Sequence, residues 1–160
     1  MTRVTGRWFA MIAAVSAAAV GAALISQHGF DMQPCPWCVL QRAIFCAIAL
    51  AALIGWMWRA AAGRVLAGGL VLLLSLSGVA AALWQHFQAA ASASCDLTLA
   101  DKIISALKLD SLLPAVFLAT ANCADAAVNL LGVPYDFWSM GLFALLALAG
   151  LRVLLPARRG

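Results

Sequence analysis

Four stretches of this chain carry no Asp, Glu, Lys or Arg: residues 8–30, 43–58, 65–95 and 137–151. A helix that crosses the hydrocarbon core of a bilayer needs about 20 mostly apolar residues. The first and third stretches meet that length outright. The second meets it by running back through Val39 and Leu40, which places Arg42 near one end. The fourth meets it by continuing through Arg152 to Leu155, with the arginine snorkelling to the interface. Of the 160 residues, 66% are hydrophobic and 10% charged, whereas soluble domains average about 25% charged. That balance excludes a disordered chain and leaves too thin a polar shell for a water-soluble domain.

The expected fold class is therefore an all-α membrane protein, an antiparallel four-helix transmembrane bundle. It forms a single integral membrane domain over residues 1–160. The spans are expected at about 8–26, 38–58, 65–86 and 136–155, with outer loops at about 27–37 and 87–135. Residues 112–124 are apolar but too short for a fifth span and contain Pro114 and Asn122. The apolar run after Arg3 and Arg7 is longer than the roughly 7–15 residues of a signal-peptide core, so it is read as a span.

Charge fixes the expected orientation. Four spans put both termini on one side. Seven of the ten cations (Arg3, Arg7, Arg59, Arg64, Arg152, Arg158 and Arg159) fall on that side, and all six aspartates fall on the other. The positive-inside rule makes the termini cytoplasmic. The cations form no aromatic-interleaved patch of the kind that binds nucleic acid. The long outer segment has a pattern of its own. Thr98 and Asp101 form a capping signal, and Leu99, Ile103, Ile104 and Leu107 follow at helical spacing. A short helix lying at the bilayer surface, or packed on the tops of the spans, fits this pattern.

Five cysteines remain: Cys35, Cys38, Cys46, Cys95 and Cys123. Four are expected outside, and outside a bacterial inner membrane disulfides persist. The natural division is Cys35 with Cys38 and Cys95 with Cys123, although four cysteines allow other pairings. Cys35-Pro36-Trp37-Cys38 opens a helix, where the dipole and free N–H groups favour a thiolate. Pro36 suits a first helical turn. Zinc bound by the four outer cysteines and two purely structural disulfides are the alternatives. Cys46 reads as packing, although its place eight residues beyond Cys38 and near the same helix face leaves a redox role as the alternative. Arg42 stands one turn after Cys38, placed to hold a thiolate charged or to contact a polar head group. Gln41 reads as an ordinary interface residue. His86, at the outer end of span three, is a candidate proton donor or cofactor contact.

The four spans, Cys-Pro-Trp-Cys-Val-Leu-Gln-Arg at the start of span two, and the long outer loop with a second cysteine pair resemble the DsbB family of disulfide bond formation proteins. Pro114-Ala115-Val116-Phe117 ahead of Asn122-Cys123-Ala124 resembles the family's second loop. Trp138 with Gly141-Leu142-Phe143 resembles its fourth span. The resemblance implies that a DsbA-type periplasmic thiol oxidase is reoxidised and its electrons pass to a membrane quinone, either ubiquinone or menaquinone. It implies that Cys95 forms the mixed disulfide with the partner and that Cys123 is its mate. It further implies that Cys35 and Cys38 match the pair next to the quinone, with Cys38 the one that attacks it, and that Arg42 and, more weakly, His86 match contacts there. Pro36, Trp37 and Gln41 depart from better-known members, which carry other residues between the first two cysteines and an acidic residue before the arginine. A relation to the vitamin K epoxide reductase family is disfavoured, because there the membrane-proximal C-x-x-C sits in a later span. A cysteine-containing membrane protein without catalysis is the remaining alternative.

Overall fold

A computed structural model describes residues 3–58, 60–89, 98–124 and 129–155. Four long helices dominate: α1 (Arg3–Phe30), α2 (Pro36–Met57), α3 (Ala61–Trp84) and α7 (Tyr135–Leu154). Each is long and apolar enough to cross a membrane, and they pack as a bundle. A π-helical turn, Gln85–Ala89, extends α3. The outer segment holds three short helices, α4 (Leu99–Ala106), α5 (Leu109–Leu112) and α6 (Pro114–Phe117). It also holds a two-residue hairpin, β1 (Asn129–Leu130) with β2 (Val133–Pro134). The charge pattern gave no sign of this hairpin. Its turn places Leu131 and Gly132 at φ 54° and 80°, the left-handed pair that twists a tight hairpin correctly.

Lipid is as apolar as leucine, so close packing rather than hydrophobic driving force holds such a bundle together. The α3–α7 seam shows how. The buried face of α3 runs Gly63, Ala67, Gly68, Val71, Ser75, Gly78, Ala81 and Ala82. A methyl group on Gly78 would meet the ring of Phe143, with Cε1 at 2.5 Å and Cγ at 2.6 Å. Phe143 in turn stacks on Phe45 of α2, with centroids 4.0 Å apart. Gly78 thus lets α3, α7 and α2 share one aromatic pair at the centre of the core. We expect Gly78→Ala to destabilise the protein by about 1–3 kcal/mol. Gly69→Ala should leave it unchanged, because nothing lies within 4 Å of that Cβ position. Thermal unfolding in detergent distinguishes the two.

The capping signal at Thr98 forms as a full capping box. Asp101 N–H donates to Thr98 Oγ1, and Thr98 N–H donates to Asp101 Oδ2 at 2.9 Å. The face that α4 buries is narrower than the leucine spacing predicts. Ala100 and Ile104 pack against α2, while Leu99 and Leu107 stay exposed. Residues four apart stack on one face, and Ala100 is small enough to bring α4 close to the start of α2.

Candidate functional site

The site is built where α2 begins. Cys35 is the N-cap residue, with extended backbone (φ −83°, ψ 166°), and Pro36 supplies the first helical turn. The Cys35 sulfur accepts the Cys38 backbone N–H at 3.3 Å, satisfying one of the helix's free donors. One turn of helix then returns the second sulfur to the first, and the two Sγ atoms lie 2.7 Å apart. Cys35 is fully buried.

The second cysteine of the outer segment reaches the same point. Thr120 and Ala121 donate their backbone N–H groups to the Pro34 carbonyl at 3.0 and 3.3 Å. The Thr120 hydroxyl donates to Gln33 Oε1 at 2.6 Å, and His28 Nε2 lies 3.2 Å from the Ala115 carbonyl. These contacts lock residues 115–121 onto the first outer loop. They bring the buried Cys123 thiol into one packed cluster with Cys35 and Trp37. Cys35 therefore sits between Cys38 and Cys123. Cys95 lies outside the described residues, so its expected pairing with Cys123 is not part of this geometry.

These contacts divide the two outer thiols. Hydrogen bonds to Cys123 and Cys38, then burial, push Cys35 far above the ordinary thiol range. The hydrogen bond from Cys35 brings Cys123 below it, with the Trp37 N–H adding to the effect against the cost of burial. A lower value means more thiolate at neutral pH. In the fully reduced protein at pH 7 we expect Cys123 to be alkylated by iodoacetamide before Cys35, as read by peptide mass. Equal rates would contradict this ordering.

Below the cysteines lies a cavity of about 630 Å³. Its walls are Ala19, Val20, Ala22 and Ala23 of α1, Phe45 of α2 and Leu142 of α7. Its polar groups include Cys38, Gln41 and Arg42 of α2, Gln85, Tyr135, Asp136 and Ser139 of α7, and Asp31 and Gln33 of the first outer loop. Arg42 is only 4% exposed. One guanidinium nitrogen, Nη1, donates to Gln27 Oε1 at 2.8 Å and to the Val116 carbonyl at 2.6 Å. Its Nε is buried without a hydrogen-bond partner. Arg42 thus ties α1 and the outer segment to α2 and keeps one donor in reserve beside the cavity.

His86 lies outside this wall. Its Nδ1 pairs with Asp136 Oδ2 at 2.8 Å, and its ring packs against Phe87 and Phe137. Asp136 does line the cavity, so His86 reaches it at one remove. Cys46 is half-buried farther along α2. Sequence reasoning missed Gln85 and Ser139, and it took Gln41 for an interface residue. Gln41 and Gln85 are buried and hydrogen-bonded to each other at 2.7 Å, and Gln85 Nε2 donates to Cys38 Sγ at 3.3 Å. The available signal was a glutamine inside an apolar span, a costly residue that usually has a buried partner.

The family model described as disulfide bond formation protein DsbB matches residues 5–153. Disulfide bond formation protein B of Cupriavidus metallidurans is 34% identical over 134 residues, covering 83% of this chain and 82% of its own. Disulfide bond formation protein B 1 of Pseudomonas savastanoi pv. phaseolicola is 32% identical over 154 residues, covering 94% and 87%. The protein of that name from Aromatoleum aromaticum is 30% identical over 151 residues, covering 92% and 90%.

Proposed function

This chain belongs to the DsbB family of disulfide bond formation proteins, a multi-pass membrane oxidoreductase, and from that premise we propose that it reoxidises a DsbA-type periplasmic thiol oxidase and passes the electrons to a membrane quinone. The orientation proposed is that of a bacterial inner-membrane protein, with both termini cytoplasmic and the redox cysteines on the periplasmic side. The observation that carries the reading is the central place of Cys35, in contact with Cys38 on one side and Cys123 on the other.

The exchange starts from two disulfides, Cys95–Cys123 and Cys35–Cys38. A partner thiolate attacks the Cys95 sulfur. A mixed disulfide forms and Cys123 leaves as a thiolate. Cys123 attacks the Cys35 sulfur, forming Cys35–Cys123 and releasing Cys38 as a thiolate. The partner's second thiolate closes the partner disulfide and frees Cys95. Cys95 then attacks Cys123, which restores Cys95–Cys123 and returns Cys35 as a thiol. Two electrons from the partner now reside on the Cys35–Cys38 pair. An electron sink is needed, because an ordinary structural disulfide is too stable to oxidise a strong thiol oxidant.

The residues around Cys38 suit a quinone. The cavity offers apolar walls for a tail, polar groups at the cysteine end for a head, and a buried Arg42 Nε with a hydrogen bond to give. Cys38, Arg42, Gln41 and Ser139 would hold the head group, and His86 would act on it through Asp136. When bound, a quinone accepts the two electrons and two protons as the Cys35–Cys38 disulfide re-forms. Arg42 provides a fixed positive charge beside the Cys38 thiolate and the developing negative charge, without having to reorganise.

Purified protein mixed with reduced DsbA-type protein and a soluble quinone should show catalytic loss of quinone absorbance that depends on the thiol partner. Absence of turnover with both ubiquinone and menaquinone analogues, in a sample with native helical content, would remove the quinone assignment.

A further inference from the structure

A chain of three side chains runs from α7 to the Cys38 sulfur. The Ser139 hydroxyl donates to Gln41 Oε1 at 2.5 Å. Gln41 Nε2 donates to Gln85 Oε1 at 2.7 Å. Gln85 Nε2 donates to Cys38 Sγ at 3.3 Å. Every hydrogen in this sequence points toward the sulfur, which is the polarity that stabilises a thiolate. Gln41 and Gln85 are 4% and 8% exposed. A buried amide in an apolar span is costly unless its groups are paired.

The far end of the chain has a second setting. The Ser139 hydroxyl also lies 2.9 Å from the Asp136 backbone carbonyl. A hydroxyl has one proton to give, so it serves either Gln41 or that carbonyl. If it turns to the carbonyl, Ser139 Oγ is free to accept. Rotating both amides by half a turn then reverses every bond. Cys38 S–H donates to Gln85, Gln85 to Gln41, Gln41 to Ser139, and Ser139 to the Asp136 carbonyl. All partners are satisfied in both settings.

We propose that Gln85, Gln41 and Ser139 are positioning residues for Cys38, forming a hydrogen-bond chain whose direction reverses as the sulfur passes between thiol and thiolate. No member gains or loses a proton when the chain reverses. A carboxylate in place of either amide would have to take up a proton to donate. The inference rests on the proposed role of Cys38 as the cysteine nearest the electron acceptor. The titratable and charged groups around Cys38 are Cys35 and Arg42 on its own helix, Cys123 from the outer segment, and Asp31, Tyr135 and Asp136 on the cavity wall.

The test is the rate at which iodoacetamide alkylates Cys38 in the fully reduced, full-length protein, resolved by peptide mass and needing no quinone. Gln85→Met keeps the volume and removes the donor. It should slow Cys38 about tenfold at pH 7, the scale of one hydrogen bond to a charged group. Gln41→Met should slow it less, and should add nothing to Gln85→Met if the chain acts as a unit. Gln85→Glu should slow Cys38 relative to the unaltered protein by a factor that grows from pH 6 to pH 8, as the introduced carboxyl ionises. A Cys38 rate in Gln85→Met within twofold of the unaltered protein, at an unchanged melting temperature, overturns the inference. A full independent effect of Gln41→Met overturns it equally. If Gln85→Met does not fold, the isosteric Gln85→Glu decides, and a rate ratio independent of pH overturns the inference. Failure of quinone turnover in the unaltered protein, with these alkylation effects intact, would count against the proposed function and leave the chain standing.

Discussion

Cys35→Ser should abolish partner-dependent quinone reduction, lowering turnover by at least about a thousandfold, the scale of losing a catalytic nucleophile. The expectation follows from position. Cys35 is the N-cap of α2, fully buried, and touches both Cys38 and Cys123. Serine keeps the cap, since its oxygen accepts the Cys38 N–H as the sulfur does, so the loss is chemical rather than structural. Cys46→Ser serves as the comparison and should retain turnover, because Cys46 is half-buried two turns farther along α2 and takes no part in the proposed exchange. The measurement is initial rate of quinone loss with saturating reduced partner. Retained turnover in Cys35→Ser would end the relay in its present form.

Arg42→Met is the second large effect. We expect kcat to fall by about a hundredfold, the scale of removing one preorganised donor from a developing negative charge. Part of the cost is structural. Arg42 Nη1 holds Gln27 of α1 and the Val116 carbonyl of the outer segment, and both lose a charged donor. Arg42→Lys separates the contributions. An ammonium keeps the charge but lacks the separate Nε donor that the guanidinium keeps while its Nη1 serves both acceptors. It should recover part of kcat and leave the melting temperature reduced. A kcat for Arg42→Met within threefold of the unaltered protein would show that the arginine is a brace and nothing more.

The bundle was legible because four charge-free runs leave few alternatives in a chain this apolar. The start of α2 was legible too: Cys-Pro-x-Cys supplies a cap, a first-turn proline and two sulfurs one turn apart. The capping box at Thr98 followed from spacing alone. Other parts of the site had no local signature. Gln41 meets Gln85 across 44 positions and Ser139 across 98. Such contacts are set by which faces of α2, α3 and α7 turn inward, and hydrophobicity hardly specifies that when every face is apolar. The approach of Cys123 to Cys35 depends on two backbone bonds to Pro34, a residue type that reveals nothing about its carbonyl. Placing His86 behind Asp136 required the π turn after α3, which rotates the next side chains away from the helical register.

The central position of Cys35 works like a changeover switch with one moving contact. A sulfur in a disulfide has one partner, so Cys35 is wired to Cys123 or to Cys38, never to both. When it faces the loop, the circuit to the membrane carrier is open. When it faces Cys38, the circuit to the soluble protein is open. In the proposed relay, charge therefore crosses in discrete pairs, one disulfide at a time. Each exchange is reversible, so direction comes from the potentials of the partner and the carrier, and three sulfurs sharing one junction pass the pair along without large movement of the helices that hold them.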